Sequence, residues 1–189
     1  MKIIIFALLV TFNVYASQFG LKMGMTLKQI DKKATPTTIV NMYSVKVPQP
    51  HKMFIKYYVK VSPTKGLYYI QGQTKRKEAS STGQELKSLF ENMDKRLIKV
   101  YGENERFDYA NNHWDRMPWL DSLMMRERVL QSVWKTDHKL KDNLQKIRLS
   151  AAASESLFGY GNGYLVIDFF YENYDVCEKD LEEKEDEAF

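Results

Sequence analysis

Apolar and polar positions alternate most regularly in MFIKYYVKV, residues 53–61. Ile55, Tyr57, Val59 and Val61 fall on one face of this strand and Phe54, Lys56, Tyr58 and Lys60 on the other. SPTKG then turns the chain back into LYYIQGQTK, so a hairpin is expected. The period changes to 3.6 at Leu86, Leu89, Phe90, Met93 and Leu97, which predicts a helix capped by Thr82 with Glu85 and stopped by Gly102. Before the hairpin, FGLKM reads as a short strand. Gly24 allows a bend, Thr26 with Gln29 makes a capping box for a helix to about Lys33, and TTIVNMYSVKV is strand-like. Residues 103–117 read as loop, and Pro118 starts a helix in PWLDSLMMRER. The strands RVLQSVWK, NLQKIRLSAAA and GYLVIDFFYEN follow, the last two joined by the turn FGYGNG. A final helix, VCEKDLEEKED, is capped by Asp175 with Glu178. This order predicts an α+β fold, an antiparallel sheet of about six strands with helices packed on it.

The first 16 residues, MKIIIFALLVTFNVYA, break the pattern. One lysine, an apolar run and small or branched residues at Val14 and Ala16 describe a signal peptide cut before Ser17. The run is too short and too interrupted by Thr11 and Asn13 for the about 20 apolar residues of a membrane span. Residues 17–189 are then expected to form a single α+β domain, periplasmic or secreted, ending in an acidic helix. Cys177 is the only cysteine, so an internal disulfide is excluded, leaving a free thiol or a homodimer through Cys177. Charge divides along the chain: residues 172–189 hold nine acidic and two basic residues, and residues 17–171 hold 25 basic and 15 acidic. An acidic helix docked on a basic body is the expectation this contrast raises.

The stretch FGLKMGMTLKQI resembles the strand, Gly-Met-Thr turn and helix that begin the SmpA/OmlA outer-membrane assembly lipoproteins and domains with the β-lactamase-inhibitor-protein-like fold. The rest of the chain is similar in style to uncharacterised secreted bacterial proteins that end in a strand and an acidic helix. The resemblance implies an envelope location and an α+β domain. It carries no functional residue to this chain, which lacks a lipid-bearing cysteine at the cut site.

Candidate chemistry is sparse. His51, His113 and His138 have no metal-ligand spacing, and Asp137 beside His138 points the opposite way on an extended chain. Met23 and Met25 could offer soft ligands to copper(I), but same-face methionines also build a core, which is the stronger reading. HWDRMPW brings Trp114, Arg116 and Trp119 together. They read as the closure of one end of the core, or as a pocket in which Arg116 orients an anion. Phe54, Lys56, Tyr58 and Lys60, with Lys75, Arg76 and Lys77 beyond, interleave aromatic and basic side chains. For an exported chain this face suits an anionic surface or an envelope protein rather than nucleic acid. The function expected is therefore non-catalytic binding at the bacterial envelope, with no cofactor or metal; a small envelope hydrolase is the alternative.

Overall fold

The computed structural model describes residues 17–111, 116–135, 140–155 and 161–186, with side chains through residue 183. The predicted signal peptide, the His113-Trp114-Asp115 segment, Asp137-His138 and part of the FGYGNG turn lie outside the described residues.

The capping box forms as expected: Gln29 N–H donates to Thr26 Oγ1, and the Thr26 N–H donates to Gln29 Oε1 at 2.8 Å. Helix α1 is nevertheless only Leu27–Ile30, because Asp31 leaves helical geometry and its carboxylate accepts the Lys33 and Lys46 N–H groups. FGLKM is not a strand. Phe19 and Gly20 both take positive φ and form a turn closed by a Gln18–Leu21 bridge. Gly24 and Met25 instead pair with the hairpin, Gly24 N–H donating to Leu67 O at 2.9 Å and Leu67 N–H to Met25 O at 2.8 Å. At the contact Gly66 has φ +71°, and a Cβ there would lie 2.1 Å from Gly24 O. Gly66→Ala is expected to cost at least about 1–3 kcal/mol in strain. Amide exchange at Gly24 and Leu67 should then accelerate ahead of the rest of the sheet, and unchanged exchange at both would contradict this role.

Strands β1 (Thr35–Pro36), β2 (Met42–Val45), β3 (Phe54–Ser62), β4 (Gly66–Thr74), β5 (Lys77–Glu78), β6 (Glu105–Ala110), β7 (Arg128–Lys135), β8 (Leu144–Ser154) and β9 (Asn162–Tyr171) form one antiparallel sheet. Its order is β1-β2-β3-β4-β9-β8-β7-β6, with β5 also on β9, so nine described strands replace the expected six or so. The predicted strand at 37–47 is split, residues 37–41 forming the turn between β1 and β2. Strand β6 falls in the segment read as loop. Among the described strands it is an edge strand paired with β7, and it is exposed or half-buried throughout, so no strong alternation announces it.

The alternation of β3 also fails at one point. A register shift between Phe54 and Lys56 inserts Ile55 as an extra residue, which turns Phe54 into the core and leaves Ile55 56% exposed. Phe54 therefore leaves the predicted binding face, and Tyr57, Val59 and Val61 keep their core side.

Helix α2 (Gln84–Tyr101) lies on the core side of the sheet through Leu86, Phe90, Met93 and Leu97. Its cap differs from the expected Thr82–Glu85 box: Gly83 is the N-cap residue, and Glu85 accepts from the N–H and hydroxyl of Ser80. A Cβ at Gly83 would meet the Trp119 ring at 2.1 Å, so the left-handed glycine makes room for that ring. Helix α3 (Trp119–Met124) buries Leu120 and Leu123 in the same core, with Pro118 as its N-cap rather than in its first turn. Helix α4 (Tyr174–Asp186) lies on the opposite side of the sheet. It begins one residue before the expected cap Asp175, with Asn173 C=O accepting the Cys177 N–H. Among the described residues no helix is long and apolar enough to cross a membrane.

Candidate binding face on the outer side of the sheet

The pleat sends Lys56, Tyr58 and Lys60 of β3, Tyr69, Gln71 and Gln73 of β4, Tyr164, Val166, Asp168 and Phe170 of β9, and Lys146, Arg148, Ser150 and Ala152 of β8 to the side away from α2. This outer face has three parts.

The first lies under α4. Met42, Tyr68, Tyr69, Phe170 and Cys177 form a second buried cluster, with Tyr58, Tyr174 and Leu181 packed against it. Tyr174 sits edge-on to Phe170 at 4.9 Å, and mainly burial pushes its phenol up to about 12. Lys60 donates to both carboxylate oxygens of Glu178 at 2.9 Å, and Lys65 pairs with Asp180. The acidic helix is thus docked on basic and aromatic surface, as the charge contrast predicts. Full burial of a Leu-sized side chain contributes about 1.5–3 kcal/mol. A partly exposed ion pair contributes about 0–1 kcal/mol, so Tyr174, Cys177 and Leu181 hold α4 more than its charges do. Cys177 is fully buried and its thiol is pushed up by burial, so a homodimer through Cys177 requires α4 to leave the sheet.

The second part is a polar network at the edge of this cluster. Asp168 is 1% exposed. Its Oδ1 accepts from Tyr69 Oη at 2.5 Å and Gln71 Nε2 at 2.9 Å, and its Oδ2 accepts from Arg148 Nε at 2.9 Å and Nη2 at 2.8 Å. Burial beside this carboxylate raises the Tyr69 phenol strongly, keeping it a proton donor. Arg148 is held at the surface, its position fixed by the carboxylate below.

The third part is open. It runs into a groove of about 590 Å³ lined by Gln131, Arg148, Ser150, Ala152 and Tyr164 of the outer face and by Met124, Arg126 and Arg128 where α3 leads into β7. Within it the small side chains Ser150 and Ala152 lie opposite Val166 and Tyr164 of β9, and Ser150 lies opposite Gln131 of β7. Arg76 stacks over the Tyr164 ring at 5.0 Å and Lys146 over Phe170 at 4.1 Å, which holds cationic side chains against aromatic faces. Arg76 and Arg126 are exposed.

Of the residues singled out in the sequence, Lys56, Tyr58 and Lys60 share the outer face and Phe54 does not. Trp119 is elsewhere: it closes one end of the core over Gly83, with the Lys87 ammonium 4.5 Å above its ring. Arg116 is exposed, and Trp114 lies outside the described residues. Met23 and Met25 pack partly buried against the core, and His51 sits beside Phe54 with its nitrogen accepting the Met53 N–H. Among the described residues no three His, Cys, Asp or Glu side chains converge as a metal site would require. Arg126, Arg148 and Tyr164 were not singled out in the sequence. The alternation in LQKIRLSAAAS, which sets Lys146, Arg148, Ser150 and Ala152 opposite Ile147, Leu149 and Ala151, was the signal for part of this surface. Compared with protein-family models, curated proteins and solved structures, the chain finds no match.

Proposed function

We propose that this is an exported, non-catalytic binding protein of the bacterial envelope, and that the open outer face of its sheet meets an anionic surface. The observation that carries the reading is the groove itself. Arg126 and Arg148 line it together with the small Ser150 and Ala152, and Arg76 and Lys146 are steadied on the nearby rings of Tyr164 and Phe170. Cations held in place lose less freedom on binding than free ones, so they favour contact with phosphate or carboxylate groups presented together. Removal of residues 1–16 belongs to the same reading, and would place this face outside the cytoplasm.

Sedimentation with vesicles tests it. The protein should pellet with phosphatidylcholine vesicles that contain phosphatidylglycerol, and be released as salt shortens the reach of the charges. Each cation near such a surface contributes about 1 kcal/mol, so reversing Arg76 and Arg126 together should weaken binding by well over about tenfold. Equal sedimentation with phosphatidylcholine alone would overturn the proposal.

A further inference from the structure

We propose that the surface beneath α4 is a docking groove for an acidic amphipathic helix of a partner protein, and that α4 is its resident, displaceable occupant. The groove is a strip of rings, Tyr58, Tyr68, Tyr69 and Phe170, bordered by Lys60 and Lys65. Helix α4, which fills it, defines what fits it. Tyr174, Cys177 and Leu181 recur at helical spacing on one side of α4, and Glu178 and Asp180 meet the two lysines. A partner with aromatic or aliphatic residues three to four apart and carboxylates beside them would make the same contacts. The charge contrast extends beyond these pairs, since residues 172–189 hold nine acidic and two basic residues and residues 17–171 hold 25 basic and 15 acidic ones.

The manner of attachment makes displacement feasible. Helix α2 is anchored by five buried residues along 18, whereas among the described side chains of α4 only Cys177 is buried. The Lys65–Asp180 pair is 40% and 34% exposed, and Val176 faces water at 50% exposure. Glu172 and Asn173 alone connect α4 to β9, so α4 can leave without unpairing the strand. The inference does not depend on the open groove binding anions.

Cys177 supplies the readout, being the only thiol and shielded only while α4 is docked. In the full chain its reaction with a disulfide reagent should be slow and limited by opening. A synthetic peptide of residues 172–186 carrying Cys177→Ala, added in excess, should trap the open form and raise the reaction rate by about tenfold or more, as a ligand present well above its dissociation constant does. The peptide with Glu178→Lys and Asp180→Lys should have no effect. Tryptophan emission, the sum over Trp114, Trp119 and the buried Trp134, should stay unchanged throughout. A rate indifferent to the peptide, equal acceleration by the charge-reversed peptide, or acceleration accompanied by a shift in tryptophan emission would each overturn the proposal. Vesicle sedimentation is scored separately, so the failure of either reading leaves the other testable.

Discussion

Asp168→Ala is expected to lower the unfolding free energy by about 3 kcal/mol, near the bottom of the range for removing one partner of a buried ion pair. The carboxylate is 1% exposed and receives hydrogen bonds from Tyr69, Gln71 and Arg148. Its removal leaves the buried Tyr69 hydroxyl without its acceptor, while the half-buried Gln71 amide keeps only the Tyr69 oxygen, to which it also donates at 2.9 Å. Arg148 moderates the loss, because its side chain is 42% exposed and can return to solvent. For a chain of this size the midpoint of thermal unfolding should fall by about 6–12 °C. Asp168→Asn keeps one acceptor but turns an amide donor toward the arginine, so it should recover little. Calorimetry checks both variants, and an unchanged midpoint for Asp168→Ala would show that the network contributes no stability.

Phe90→Ala should be at least as costly, about 3–5 kcal/mol, through lost burial and the cavity left behind. Phe90 is fully buried where α2 meets the sheet, and the Arg106 guanidinium lies 5.4 Å over its ring while pairing with Glu91 at 2.5 Å. Val100→Ala, on the exposed side of the same helix, should change stability by no more than about 0.5 kcal/mol. Denaturant unfolding of the two variants separates core anchoring from helix propensity. Comparable losses in both would contradict the placement of Phe90 at the centre of the core.

These two residues also show which parts of the structure the sequence makes legible. Phe90 is visible because Leu86, Phe90, Met93 and Leu97 repeat with the helical period, a local signal that survives in the fold. The Thr26–Gln29 box is local in the same way. Asp168 is not visible, since Tyr69 and Arg148 come from different strands, 99 and 20 residues away in the chain. The extra residue at Ile55 is likewise decided by pairing with β4, and it moved Phe54 from the predicted face to the core. Strand β6 arises from its pairing with β7 and not from its own pattern. For the binding face, alternation correctly placed Lys56, Tyr58 and Lys60, and the charge contrast foreshadowed the Lys60–Glu178 pair. The open groove escaped notice because Arg126, Arg148 and Tyr164 are scattered along the chain and meet only through the order of the strands.

The central claim is that binding belongs to one face and not to overall charge, and matched charge reversals test it most directly. Arg76→Glu with Arg126→Glu alters the outer groove, and Lys95→Glu with Lys99→Glu makes the same net change on the exposed side of α2. Both variants are compared with the parent chain for binding to phosphatidylglycerol-containing vesicles at fixed ionic strength. The first pair should lose binding while the second keeps most of it. Equal loss in both, or no loss in the first, would contradict the assignment of the outer face.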